Sequence, residues 1–119
     1  MKYKGMIALI SFVLLIAAGN TYSGNMDKGK DLFNSSDLGT NGKSCNTCHS
    51  GGKDIDGRKN TYTILGKKQD SIENAVNFCI KMALSGSPLD KGSEKMKDIV
   101  FYLKTLKGKK KRKSAAPGY

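Results

Sequence analysis

An all-α fold is what this sequence predicts, on three observations. Residues 72–83 and 94–106 carry apolar side chains at helical spacing, and no segment alternates in the manner of a strand. Stretches rich in glycine or proline separate the helical ones, as connections do in a small helical domain.

The chain opens with Lys2 and Lys4, then the apolar run "MIALISFVLLIAA" from Met6 to Ala18. Small residues follow, with cleavage expected after Gly19 or Ser23. That layout is a secretory signal peptide over 1–23, and the run is short for a transmembrane helix, although an uncleaved anchor is the alternative. The protein is therefore expected to be exported, to the periplasm or an equivalent compartment. Its mature chain would have about 96 residues, too few for a large core without a staple.

The helices follow in order. Asn25 or Asp27 can cap a first helix from Met26 to about Leu38, with Gly29 and Phe33 four apart on one side. "GTNGKS", 39–44, and "SGGKDIDGRKN", 50–60, are loops around a short motif. Asp70 and Glu73 form a capping box for a second helix. Its apolar stripe is Ile72, Ala75, Val76, Cys79, Ile80 and Ala83. "SGSPLDKGS" breaks the chain, and Ser93 caps a last helix carrying Met96, Ile99, Val100, Leu103 and Leu106 on one face. The folded domain spans 24–107, with a basic tail over 108–119.

The motif between the loops is "GKSCNTCHSGG", 42–52. Cys45 and Cys48 stand three apart, and His49, the single histidine, follows directly; Cys79 is the third and last cysteine. Three cysteines cannot all pair within one exported chain. A Cys45–Cys48 redox disulfide would leave Cys79 and His49 without a role. A zinc site would need Cys79 brought close to the other three ligands. C-x-x-C-H is the attachment signature of c-type haem, in which each thiol bonds a porphyrin vinyl group and the histidine ligates the iron. One covalently bound haem c, held by Cys45, Cys48 and His49, accounts for all three residues and supplies the missing apolar core.

With these residues in place the chain resembles the cytochrome c family over roughly 26–106. The likeness rests on Gly29-x-x-x-Phe33, the 45–49 motif and the aromatic pair Phe101–Tyr102 in the last helix. The resemblance implies a small cytochrome c-like fold wrapped around the haem, with the first and last helices crossing at Gly29. Leu38, Tyr62, Ile64 and Leu65 are expected to line the pocket. Class I members take a methionine from the loop before the last helix as sixth iron ligand, but here 85–92 has neither methionine nor histidine. Three candidates remain. Counting about 100° per residue from Ile72, Cys79 lies near the centre of the buried face and Met82 on its margin. Met96 sits within the stripe of the last helix, where packing alone explains it.

The segment "NFCIKMALSGSPLDKGSEKMKDIVFYL" is similar to one in the haem domains of thiosulfate-oxidising cytochromes, where a cysteine ligates the iron. The chain also resembles the small His/Cys-ligated monohaem cytochromes of anammox bacteria, the NaxL/NaxS type, which form heterodimers and bind nitric oxide. These resemblances imply Cys79 as distal ligand, opposite His49, with Met82 and then Met96 as alternatives. They also imply a second small cytochrome subunit or an acidic redox partner, and a diatomic gas such as NO or CO as ligand. A thiolate stabilises ferric iron and lowers its potential. The expected function is low-potential electron transfer or gas binding, without enzymatic activity. A conventional methionine-ligated electron carrier is the alternative. A haem subunit of a sulfur-oxidising complex ranks behind both, because one haem motif and one histidine leave no residues for acid–base work.

The formal net charge is +11, and five of the positive charges lie in Lys109–Lys113. An exported protein does not meet nucleic acid, so no nucleic-acid partner is expected. The basic run is either a solvated tail or a docking patch for an acidic partner or an anionic membrane surface.

Overall fold

A computed structural model describes residues 24–108. The expected signal peptide and the run Lys109–Lys113 lie outside the described residues. Four helices form within them: α1 (Met26–Asn34), α2 (Cys45–Cys48), α3 (Ile72–Ala83) and α4 (Glu94–Lys104). Single 3-10 turns at Ser36–Leu38 and Ser50–Gly52 flank α2.

The all-α expectation needs one correction. Tyr62–Ile64 (β1) and Lys67–Gln69 (β2) pair as an antiparallel hairpin, with Thr63 opposite Lys68. Three residues per strand are too few to show alternation, and the hairpin depends on its turn. Leu65 and Gly66 both have positive φ, 48° and 73°, the combination that a tight two-residue hairpin turn demands. Leucine is a rare first residue there, so the usual Asn-Gly signature is missing. The described domain is thus mainly helical, with a small two-stranded sheet.

The caps follow the sequence at two of three helices. Asn25 caps α1 by accepting from the Lys28 amide at 3.0 Å, and Ser93 caps α4 by accepting from the Met96 amide at 3.3 Å. At α3 the cap is Ser71, accepting from Asn74 at 3.1 Å, instead of an Asp70–Glu73 box. Ser71 is already extended (φ −152°), so Asp70 lies outside the helix. The first helix is also shorter than expected. Ser35 turns extended after Asn34, and its hydroxyl accepts from Asp37 to start the 3-10 turn.

Helices α1 and α4 cross at Gly29. A Cβ there would overlap the Asp98 carbonyl oxygen and lie 2.8 Å from Tyr102 Cβ, so only glycine permits this approach. Phe33, one turn along, stacks tilted on Tyr102 with ring centroids 5.3 Å apart. Asp98, 7% exposed, accepts from the Asn25 backbone amide at 2.7 Å, so α4 holds the start of α1 through a charge-assisted hydrogen bond. Beneath the crossing, Phe33, Ile80, Met96 and Ile99 are essentially excluded from solvent and form the centre of the core. Leu38 joins this core.

Two connections that the sequence leaves as plain loops are pinned to α3. Thr40 donates its amide to Leu84 O at 2.9 Å and its hydroxyl to Ser85 O at 2.7 Å, while Asn41 Nδ2 donates to Ala83 O at 2.9 Å. On the other side, Asn77 exchanges two hydrogen bonds with the backbone of Leu89. The 85–92 loop is therefore tied to the helix at Leu89, and at Gly86, whose amide donates to Ile80 O at 2.9 Å.

Candidate functional site

The helix α2 is a single turn, too short to persist alone. Ser44 and Thr47 brace it reciprocally. The Ser44 amide donates to Thr47 Oγ1 at 2.9 Å, and the Thr47 amide donates to Ser44 O at 3.1 Å. Asn46 Oδ1 accepts from the Gly51 amide at 2.8 Å and bends the chain back after the turn. The result places Cys45, Cys48 and His49 on the wall of one cavity of about 630 Å³, within the range of pockets that hold organic cofactors.

Its other walls come from elements far apart in sequence. The hairpin contributes Tyr62, Ile64 and Leu65, α3 contributes Val76 and Cys79, and α4 contributes Ile99 and Leu103. Three of the four expected lining residues are there. Leu38 is not: the 3-10 turn drives it into the helical core, away from the cavity.

His49 Nδ1 lies 2.8 Å from Lys53 O. A carbonyl can only accept, so Nδ1 carries a proton, which leaves Nε2 as the ring nitrogen that could ligate a metal. The loop making that contact is tightly wound: Gly51, Gly52 and Asp54 all have positive φ, and the Gly52 amide returns to His49 O at 2.8 Å.

All three thiols are free. Burial pushes the Cys45 thiol up to about 11, with a smaller push from Cys79. Burial also raises Cys79, followed by the influence of Cys48. Cys45 and Cys79 are thus each influenced by another cysteine, although Cys79 is thirty-one residues from Cys48 in the chain.

The methionine alternatives lie elsewhere. Met82 is 61% exposed and outside the cavity lining, and Met96 is 1% exposed within the core. Among the described residues, no three His, Cys, Asp or Glu side chains are grouped to hold a bare metal ion. A haem would bring most of its iron's ligands with it and would need from the protein only thiols to tether it and one or two side chains to complete the iron's coordination. An apolar-walled cavity with two thiols on one turn, an oriented imidazole and a third thiol fits that group.

Sequence reasoning missed the polar rim. Asp54, Asp56, Lys59 and Thr61 all border the cavity. Tyr62 donates its hydroxyl to Lys59 O at 3.0 Å, and burial raises its phenol above the ordinary range. Only the Gly-Asp-Gly composition of 50–60 hinted at a structured loop. No protein-family model, curated protein sequence or solved structure matched the chain.

Proposed function

We propose that the protein is an exported monohaem c-type cytochrome with His49 and Cys79 as axial ligands, serving low-potential electron transfer or reversible binding of a diatomic gas such as NO or CO. The observation that carries this reading is the convergence of the C-x-x-C-H turn and Cys79 on one apolar cavity, with both methionines outside it.

In this reading Cys45 and Cys48 would tether a haem by thioether bonds, and His49 Nε2 would ligate its iron, with Lys53 O holding the ring through Nδ1. The bound haem supplies one-electron redox chemistry and a site for small ligands. As a thiolate, Cys79 Sγ would favour the oxidised state of the bound group, and as a thiol it would be a poor ligand. Because Cys79 sits in the third turn of α3 rather than in a loop, the helix backbone holds its side chain at the cavity wall. Val76, Ile99 and Leu103 give the cavity that Cys79 lines part of its apolar wall.

The test is the protein purified from a host that matures c-type cytochromes. Haem should stay with the polypeptide in acidified organic solvent, and the ferric spectrum should carry a near-infrared thiolate band with the matching EPR signature. Haem released into the solvent overturns the attachment, and a methionine charge-transfer band overturns Cys79. CO added to the reduced protein should shift the Soret band; no shift leaves electron transfer alone.

A further inference from the structure

His49 takes its orientation from a loop with little stiffness of its own. Its Nδ1 donates to Lys53 O at 2.8 Å, four residues on. Between the two lie Gly51 and Gly52, with positive φ of 61° and 81°, and adjacent glycines leave a chain many other paths. Backbone bonds close the loop on itself: the Gly52 amide reaches His49 O at 2.8 Å and the Lys53 amide reaches Ser50 O at 3.2 Å. These bonds hold the turn together but do not fix its direction relative to α2.

That direction is set from two sides. On the far side the end of α4 takes hold. Gly57 donates to Leu106 O at 3.1 Å, Gly108 donates to Ile55 O at 2.7 Å, and a Cβ on Gly52 would lie 2.6 Å from Leu106 Cδ2. Arg58 latches the same junction, with its guanidinium on both Asp56 carboxylate oxygens at 2.8 and 2.9 Å and on Lys107 O at 3.3 Å. On the near side there is one side chain. Half-buried Asn46, on α2 between the two cysteines of the motif, accepts from the Gly51 amide through Oδ1 at 2.8 Å. Among the described residues, no side chain other than Asn46 and His49 hydrogen-bonds to the backbone of 50–53.

We infer that Asn46 is a positioning residue for His49. Through Gly51 it holds the loop that presents Lys53 O to Nδ1, and so fixes the plane of the imidazole and keeps Nε2 as its free nitrogen. The C-x-x-C-H spacing asks for no particular residue at 46. Asparagine there is short enough to accept from an amide five residues on while its own backbone stays in α2. The consequence rests on the haem reading, although the geometry does not. A hydrogen bond from Nδ1 makes Nε2 a better donor to a metal, so a loosened ring would favour the ferric state less.

Asn46→Ala and Asn46→Asp test this in the purified mature protein, beside Asn77→Ala, which removes a hydrogen-bonded clamp elsewhere. With a single histidine in the chain, its ring proton is unambiguous in NMR spectra of the reduced, CO-saturated protein. Asn46→Ala should speed exchange of the Nδ1 proton with water on the order of 10-fold, as the loss of one ordinary hydrogen bond allows, and should raise the midpoint potential. Asn46→Asp keeps the acceptor and should restore slow exchange. Asn77→Ala should leave the ring proton protected. Unchanged exchange in Asn46→Ala overturns the positioning role, and so does equal acceleration in Asn46→Asp or Asn77→Ala. Faster exchange with an unmoved potential overturns the influence on a bound iron. A protein that gives up its haem to acidified solvent yet shows this exchange pattern would sink the cytochrome and keep the role of Asn46.

Discussion

Asn77 and Leu89 hold one another by two hydrogen bonds. Asn77 Nδ2 donates to Leu89 O at 2.9 Å, and the Leu89 amide donates to Asn77 Oδ1 at 2.8 Å. A side-chain amide here stands in for a strand neighbour. It ties the proline-bearing loop to α3, two residues from Cys79, and so helps fix the helix that lines the cavity.

Asn77→Ala should leave both Leu89 groups without a protein partner and destabilise the fold by about 1–3 kcal/mol. Asn77→Asp keeps the acceptor and loses the donor, so its cost should fall between those of Ala and wild type. Denaturant unfolding of the three proteins checks the order. Equal stability of Asn77→Ala and wild type would show that the clamp contributes nothing.

Gly29→Ala should cost about 1–3 kcal/mol, despite alanine's better helix propensity. The added methyl meets the Asp98 carbonyl and Tyr102 Cβ, neither of which can move without parting α1 from α4. A melting temperature unchanged or raised would contradict the close crossing.

On the haem reading, Cys79→Ser should abolish the thiolate signature and raise the midpoint potential by on the order of 100 mV. Met82→Leu and Met96→Leu should leave the spectrum unchanged, because Met82 faces solvent and Met96 the core. Loss of Met96 packing would appear in stability instead. A spectrum altered by Met82→Leu alone would reassign the distal ligand.

The Asp56–Arg58 latch sets a pH limit. Hydrogen bonds from Arg58 hold the Asp56 carboxyl at about 2, below its ordinary value of 3.8. A carboxylate depressed in the folded state contributes its stability above about pH 4 and loses it as pH falls toward 2. The NMR titration of Asp56 should therefore show a midpoint near 2 that moves up toward the ordinary value in Arg58→Ala. An unchanged midpoint in that variant would mean the pair does not persist in solution.

The sequence by itself determined where three of the helices lie and which residues could carry chemistry. Helical periodicity marked the faces of α3 and α4, Asn25 and Ser93 marked two starts, and the C-x-x-C-H spacing marked one turn because local covalent spacing alone brings those three residues together. What depended on distant contacts was not legible. The Leu65–Gly66 turn hid the hairpin, since leucine takes a positive φ there against its own residue preference. Asn77, Arg58 and Lys53 O act on partners that only the folded chain brings near. The tertiary structure also placed the sulfurs apart. Helical angles alone put Cys79 and Met82 about 60° apart on one helix. The packing of α2, α3 and the hairpin around a common space leaves Cys79 inside that space and Met82 in water.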